Sequence, residues 1–192
     1  MRPLMILVDM DNTLENLTDA WVEALNERHS LNVKPEEITD WDVTKAFPTL
    51  TAAQVFQPIH ENNFWERVKP IRGAPETLAK LINDGHAVCV VTASHYETLA
   101  AKMEKVLFRY FPFITWDEVI ITSHKQLIRG DVMIDDAVHN LVNGNYEKLL
   151  MDAPHNRGFN AEAHGMTRVK TWDDIYKFVC DFSQINKEDS YG

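Results

Sequence analysis

The 192-residue sequence predicts an α/β fold, a doubly wound, mostly parallel sheet with a small helical cap inserted after the first strand. Three observations carry that expectation. Short, continuous apolar runs rich in β-branched residues alternate with segments of helical period, as in strands buried on both faces. The alternation stops between residues 16 and 72, where helical patches and aromatics occur without a convincing strand. Acidic, hydroxyl and ammonium side chains then fall at the ends of separate strands, where an open parallel sheet gathers its ligands.

The strands are read, in order, as "LMILVD" from residue 4, "AVCVVT" from 87, "EVIIT" from 118, "DVMID" from 131, "KLLMD" from 148 and "TRVK" from 167. Between them, "APETLAKLIND" reads as a helix ended by Gly85, and "YETLAAKMEKVLFRYF" as one that stops before Pro112. The last helix, "WDDIYKFVCDFSQI", has acids in its first turn, where the helix dipole favours them. Residues 1–15 and 73–183 are thus expected to form the core, 16–72 the cap and 184–192 a polar tail.

Composition narrows the function. A net charge of −10 argues against a nucleic-acid polymer as partner, because phosphate backbones need clustered Lys and Arg. A small anionic substrate remains compatible, since a few local cations and a metal outweigh a distant field. The two cysteines, Cys89 and Cys180, point to neither a disulfide framework nor a zinc site, which fits a reducing compartment. No apolar run approaches the ~20 residues of a membrane span. The expected location is the cytoplasm.

Residues 6–14, "ILVDMDNTL", end a strand on Asp9 and Asp11, two carboxylates projecting to the same side. Thr92 ends the second strand, Lys125 follows the third in "ITSHKQ", and Asp135 and Asp136 end the fourth in "VMIDDAVHN". Singly, each has a structural reading: a D-x-D turn, a strand-end Thr, a surface Lys, an Asp cap on a helix. Together they bring four carboxylates, one ammonium and one hydroxyl to a single crevice. That set implies a hard divalent cation, and oxygen-only ligands favour Mg²⁺. One carboxylate can attack phosphorus while the other serves as acid and then base, with Mg²⁺, Lys125 and Thr92 holding the phosphoryl oxygens.

These residues resemble the haloacid dehalogenase-like (HAD) phosphohydrolases: "DMDNT", Thr92, Lys125 and "IDD" match that superfamily's four motifs. Within it, "VDMDNTL", "NFWERVKPIRGAPE", "HKQLIRGDVMIDD" and "LLMDAPHNR" resemble the 5′(3′)-deoxyribonucleotidase family. The resemblance implies Asp9 as nucleophile and Asp11 as acid/base, with the Asp11 backbone carbonyl on Mg²⁺. It implies Asp9 and Asp136 as carboxylate ligands, Asp135 as second ligand or outer partner, and Thr92 and Lys125 on the phosphate. It also places Phe64 and Trp65 beside a nucleobase. Three positions depart from the family: Asn12-Thr13 replaces Gly-Val, Ala93 replaces a phosphate-binding Ser, and Leu17 replaces an aromatic base contact. Ser94 is the candidate substitute for the missing serine. His155 and Arg157 in "APHNRG" are candidates to touch the substrate or shape their loop.

The expected activity is Mg²⁺-dependent hydrolysis of nucleoside monophosphates, deoxyribonucleotides first, through an aspartyl-phosphate, with a homodimer compatible. The rivals are a phosphatase of another small ester such as a sugar phosphate and, in a different class, a phospho-accepting receiver module. A dehalogenase would have no use for Asp11.

Overall fold

The computed structural model describes residues 2–188. Six parallel strands lie in the order β3-β2-β1-β4-β5-β6. They are β1 (Met5–Val8), β2 (Ala87–Thr92), β3 (Val119–Ile121), β4 (Val132–Asp135), β5 (Glu147–Met151) and β6 (Thr167–Val169). Five of them fall within the runs read from the sequence, and β5 begins one residue earlier, at Glu147. β1 is central, with Val8 paired to Val90 of β2 and to Ile134 of β4. The chain moves outward one way through β2 and β3, then returns beside β1 and moves outward the other way through β4, β5 and β6. The β1–β4 junction is therefore the topological switch point, and the crevice over its carboxyl end is the binding position of such sheets.

The pleat sorts the strand residues. Ile6, Val8, Val88, Val90, Val132, Ile134, Leu149 and Met151 belong to the larger core, and Leu7, Val91, Met133 and Leu150 to a smaller one on the opposite face. The helices are α1 (Leu17–His29), α2 (Ala52–Phe56), α3 (Ala74–Asn83), α4 (Leu99–Lys102), α5 (Phe108–Tyr110), α6 (Val138–Leu141) and α7 (Trp172–Glu188). A π turn, Met103–Leu107, joins α4 to α5, so the helix read as one regular element carries an irregular middle. Gly85, at φ +94°, follows the end of α3, a conformation that costs glycine little. α7 runs to Glu188, past residue 184 where the polar tail was expected to begin. The remainder of that tail, 189–192, lies outside the described residues.

Residues 16–72 contain α1, α2 and four 3-10 turns and no strand. Their interior is made by Leu17, Trp21, Leu25, Phe47, Val55, Phe64, Trp65 and Val68, all buried, and the Trp21 Nε1–H donates to the Val55 carbonyl at 2.6 Å. The two segments that flank this stretch run side by side: Asn16 N donates to Lys69 O and Ile71 N to Leu14 O, both at 2.9 Å. Trp172 of α7 donates its Nε1–H to Thr13 O at 3.1 Å, fastening the last helix to the loop after β1.

Candidate active site

The loop after β1 delivers Asp9 and Asp11. Asp9 N donates to Ile134 O at 2.9 Å, so the sheet ladder itself fixes the start of this loop. Asp9 is buried, and its Oδ1 lies 2.5 Å from the Lys125 ammonium. Lys125, also buried, sits on a 3-10 turn (Lys125–Leu127) and makes a second contact of 2.7 Å to Asp135 Oδ2. Burial opposes its charge, but the two carboxylates outweigh that and hold its pKa above the usual lysine range.

The adjacent acids of "IDD" have different surroundings. Asp135 is saturated: besides Lys125, it accepts from Ala137 N at 2.8 Å and from Asn140 Nδ2 at 3.1 and 3.0 Å. Asp136 is equally buried, yet its Oδ2 has no hydrogen-bond partner. Its backbone carbonyl is held instead, by Asn156 Nδ2 at 2.8 Å and His155 Nε2 at 3.1 Å. Oxygens of Asp9, Asp135 and Asp136 lie within 4.8 Å of one another, so the three could hold a metal ion.

The electrostatics fit a bound cation. Burial, with Asp135 adding to it and Lys125 opposing, pushes Asp9 up to about 7. Burial, Asp135 and Asp9 push Asp136 well above the aspartate range. An orphaned buried carboxylate oxygen facing a second strained carboxylate, with oxygen-only donors, fits a hard divalent ion such as Mg²⁺. The bonds already made by Asp135 leave Asp9 and Asp136 as the carboxylates free to ligate it, with Asp135 anchoring Lys125 behind them.

Sequence reasoning missed two residues. Lys102 of α4 is buried, and its ammonium meets Asp11 Oδ2 at 2.7 Å and Thr92 Oγ1 at 3.0 Å. The crevice therefore holds two ammonium groups where one was expected. Its signal was present in outline: Lys102 stands three residues after Leu99 and four before Val106, on the apolar stripe of its helix, where a solvated lysine has no place. Burial raises the Asp11 pKa, but Lys102 outweighs it and the net shift is downward. Glu15 gave no signal. It is fully buried beside Asp11, and burial with the Asp11 charge raises its pKa well above the glutamate range.

The remaining candidates separate. Thr92 ends β2, buried against Lys102. Ser94 lies half-buried on the following loop, with no hydrogen bond to its hydroxyl among the described residues. Phe64 and Trp65 are each 4% exposed in the cap interior, ring to ring at 5.4 Å, so as placed neither offers an open face. Trp65 instead lies under the Lys102 ammonium, 5.5 Å from its ring centroid. Arg157 pairs with Asp152 at 3.0 Å. Two exposed aromatics lie on loops near these residues: Trp41, 56% exposed, edge-on to His139 at 4.7 Å and to His155 at 5.4 Å, and Tyr96, 79% exposed, on the loop after β2.

The fold and this acidic crevice define the class. Solved structures with the same fold include a HAD family hydrolase from Deinococcus radiodurans, crystallised with phosphate and sodium (TM-score 0.61, 15% identical, covering 89% of this chain and 92% of that one). A haloacid dehalogenase-like protein from Streptococcus pneumoniae gives a TM-score of 0.64 at 11% identity, covering 92% and 98%. Within that class the family model described as 5′ nucleotidase, deoxy (pyrimidine), cytosolic type C protein matches residues 2–185, and the chain belongs to this family. Among its relatives is a 5′(3′)-deoxyribonucleotidase of Bacillus subtilis, 34% identical over 171 residues, covering 88% of this chain and 95% of the relative. Another, from Clostridium acetobutylicum, is 29% identical over 177 residues, covering 91% and 93%. The chain is a nucleotide phosphomonoesterase, which sets aside the receiver-module reading.

Proposed function

We propose that this enzyme is a Mg²⁺-dependent, cytoplasmic deoxyribonucleotide phosphatase that works through an aspartyl-phosphate on Asp9. The observation that carries the reading is the pairing of roles at one crevice. Asp9 is pinned through one oxygen to Lys125, leaving the other to attack, while Asp11 is held two residues on by a separate ammonium. The names of the relatives supply the deoxyribonucleotide.

In this reading an Asp9 carboxylate oxygen attacks phosphorus and the P–O bond to the sugar breaks. Asp11 gives the leaving oxygen its proton, then takes a proton from the water that attacks the phosphorus of the acyl phosphate. Phosphate departs and Asp9 is regenerated. Lys125, Lys102, the Thr92 hydroxyl and the Ser94 hydroxyl hold the phosphoryl oxygens as charge spreads over them. A phosphoryl group competing for Lys102 also removes the charge that lowers the Asp11 pKa, so substrate binding itself raises the proton affinity of the acid. Asp9 and Asp136, with the Asp11 carbonyl, would hold the Mg²⁺, which when bound neutralises the acids and the phosphate charge.

Residues 16–72 act as the cap that shelters the nucleoside. Exposed Trp41 supplies a flat face at the cleft mouth, and buried Trp65 backs Lys102. A hydrolysis screen over deoxyribonucleotides, ribonucleotides and sugar phosphates, with and without EDTA, tests the proposal. Deoxyribonucleoside monophosphates should lead, and all activity should vanish with chelation. A sugar phosphate as best substrate would overturn the substrate assignment.

A further inference from the structure

In the segment "APHNRG", His155 and Arg157 are the residues the sequence offers to a substrate, yet the fold buries the one between them. Asn156 is 2% exposed, on the 3-10 turn (Pro154–Asn156) after β5. Both ends of its carboxamide are used. Nδ2 donates to two carbonyls, Asp136 O and Met151 O, each at 2.8 Å. Oδ1 accepts from Arg168 Nη1 at 2.6 Å and from Ala153 N at 3.3 Å. The two carbonyls belong to the ends of neighbouring strands. The β4–β5 ladder stops at the pair Asp135–Leu150, so Asp136 and Met151 are the next residues along, and the amide ties their backbones where the ladder no longer does. Arg168, on β6, fixes the amide in turn, with Nη2 on Asn156 O at 3.0 Å and Nη1 on Asp152 Oδ1 at 3.1 Å.

This clamp matters because of what it leaves free. Asp136 Oδ2 is buried without a hydrogen-bond partner, so the fixed backbone beneath it sets where that oxygen stands. The His155 Nε2–H donates to the same Asp136 carbonyl at 3.1 Å and stands 3.5 Å from Oδ2. We propose that Asn156 is a positioning residue for the cation site, its amide holding the Asp136 backbone so that the unbonded carboxylate oxygen faces the ion, with His155 as a second support. The proposal rests on the reading of Asp136 as a cation ligand given above. Fixing the ligand through its carbonyl keeps the ligating oxygen unoccupied until the ion arrives.

Asn156→Asp tests this, since the carboxylate keeps the shape and the acceptor for Arg168 but has no N–H for the Asp136 and Met151 carbonyls. Calorimetric titration of the substrate-free protein with MgCl₂ should show binding weakened by about ten- to a hundredfold, the cost of losing a ligand-orienting partner. At saturating Mg²⁺, kcat for a deoxyribonucleoside monophosphate should stay within about threefold of the parent, because the loss falls on ion binding and not on the transition state. Asn26→Asp is the control. Asn26 makes a similar two-ended clamp within residues 16–72, Nδ2 donating to Val33 O at 2.7 Å and Oδ1 accepting from Val33 N at 3.0 Å. That variant should lower the melting temperature and leave Mg²⁺ affinity at the parent value. A cooperatively folded Asn156→Asp that binds Mg²⁺ at least as tightly as the parent, or an Asn26→Asp that weakens binding as much, would overturn the proposal. Should Asn156→Asp not fold, His155→Phe decides, because it keeps a ring against Trp41 and loses the donor. Binding about two- to tenfold weaker supports the proposal, and parent affinity overturns it. Asp136→Asn tells the two readings apart. Weak Mg²⁺ binding there with parent-like binding in Asn156→Asp counts against Asn156 alone. Parent-like binding in Asp136→Asn removes Asp136 from the ligand set and the proposal with it.

Discussion

Asp9 and Lys102 are the residues on which the chemistry turns, and each gives a different prediction. Asp9→Asn keeps the shape and the Lys125 contact but removes the attacking charge. Turnover should fall to background while the far-ultraviolet circular dichroism and melting temperature stay near the parent's. Near-normal hydrolysis by that variant would move the nucleophile elsewhere. Lys102→Met keeps the packing against Trp65 and deletes the ammonium shared by Asp11 and Thr92. Loss of one such electrostatic group should lower kcat by about 10²-fold, measured with nucleotide at saturating Mg²⁺. The aspartates were legible because each follows a strand whose carboxyl end the apolar pattern locates. Lys102 was harder to read because a lysine in a helical segment looks like solvated surface until its register against Leu99 and Val106 is weighed. Glu15 was not legible at all, since nothing local marks a glutamate just before a helix as buried.

At the level of elements, the join between α3 and β2 carries a titratable group outside the crevice. His86, 4% exposed, accepts the Leu4 N–H at Nδ1 across 3.2 Å, which only a neutral imidazole can do. Burial lowers its pKa from 6.5, against a smaller pull upward from Asp84. A lowered histidine pKa means that, as pH falls below about 6.5, the unfolded chain takes a proton that the folded chain refuses. The contribution of His86 to stability is thus complete above pH 6.5 and is lost as pH drops toward the folded-state value. Urea melts between pH 7.5 and 5.5 should show that loss, and His86→Gln should flatten it. A parent curve no steeper than the variant's would remove His86 from the account. The strands themselves were readable to within a residue or two because their both-sided burial leaves unbroken apolar runs. The π turn after Lys102 was not, since an extra residue in a helical turn leaves the local composition unchanged.

For the whole molecule, residues 16–72 meet the sheet-bearing remainder through the paired segments at Leu14–Asn16 and Lys69–Ile71 and through ring contacts, Trp41 with His139 and His155, and His60 with His95 at 4.9 Å. A cation that binds only the folded crevice stabilises the whole chain by mass action, about 2.7 kcal/mol at a hundredfold excess over its Kd. Adding Mg²⁺ to EDTA-treated protein should therefore raise the melting temperature by several degrees, and Asp136→Asn should abolish most of that rise. Asp135→Asn should act differently, by loosening Lys125. An Asp136→Asn protein still stabilised fully by Mg²⁺ would remove Asp136 from the ligand set.

By itself the sequence determined the order of strands and helices, the helical character of residues 16–72 and the convergence of Asp9, Thr92, Lys125 and Asp136 on one end of a sheet. These follow from periodicity and from the geometry of parallel strands, which are local properties of the chain. Only the tertiary structure decided which of two adjacent aspartates keeps a free oxygen, that a second lysine guards Asp11, that Phe64 and Trp65 are buried, and that Asn12 caps the start of α1. Those outcomes depend on which side chains from distant segments desolvate one another. The free energy of a buried charge is set by its neighbours in space, which no single stretch of sequence contains.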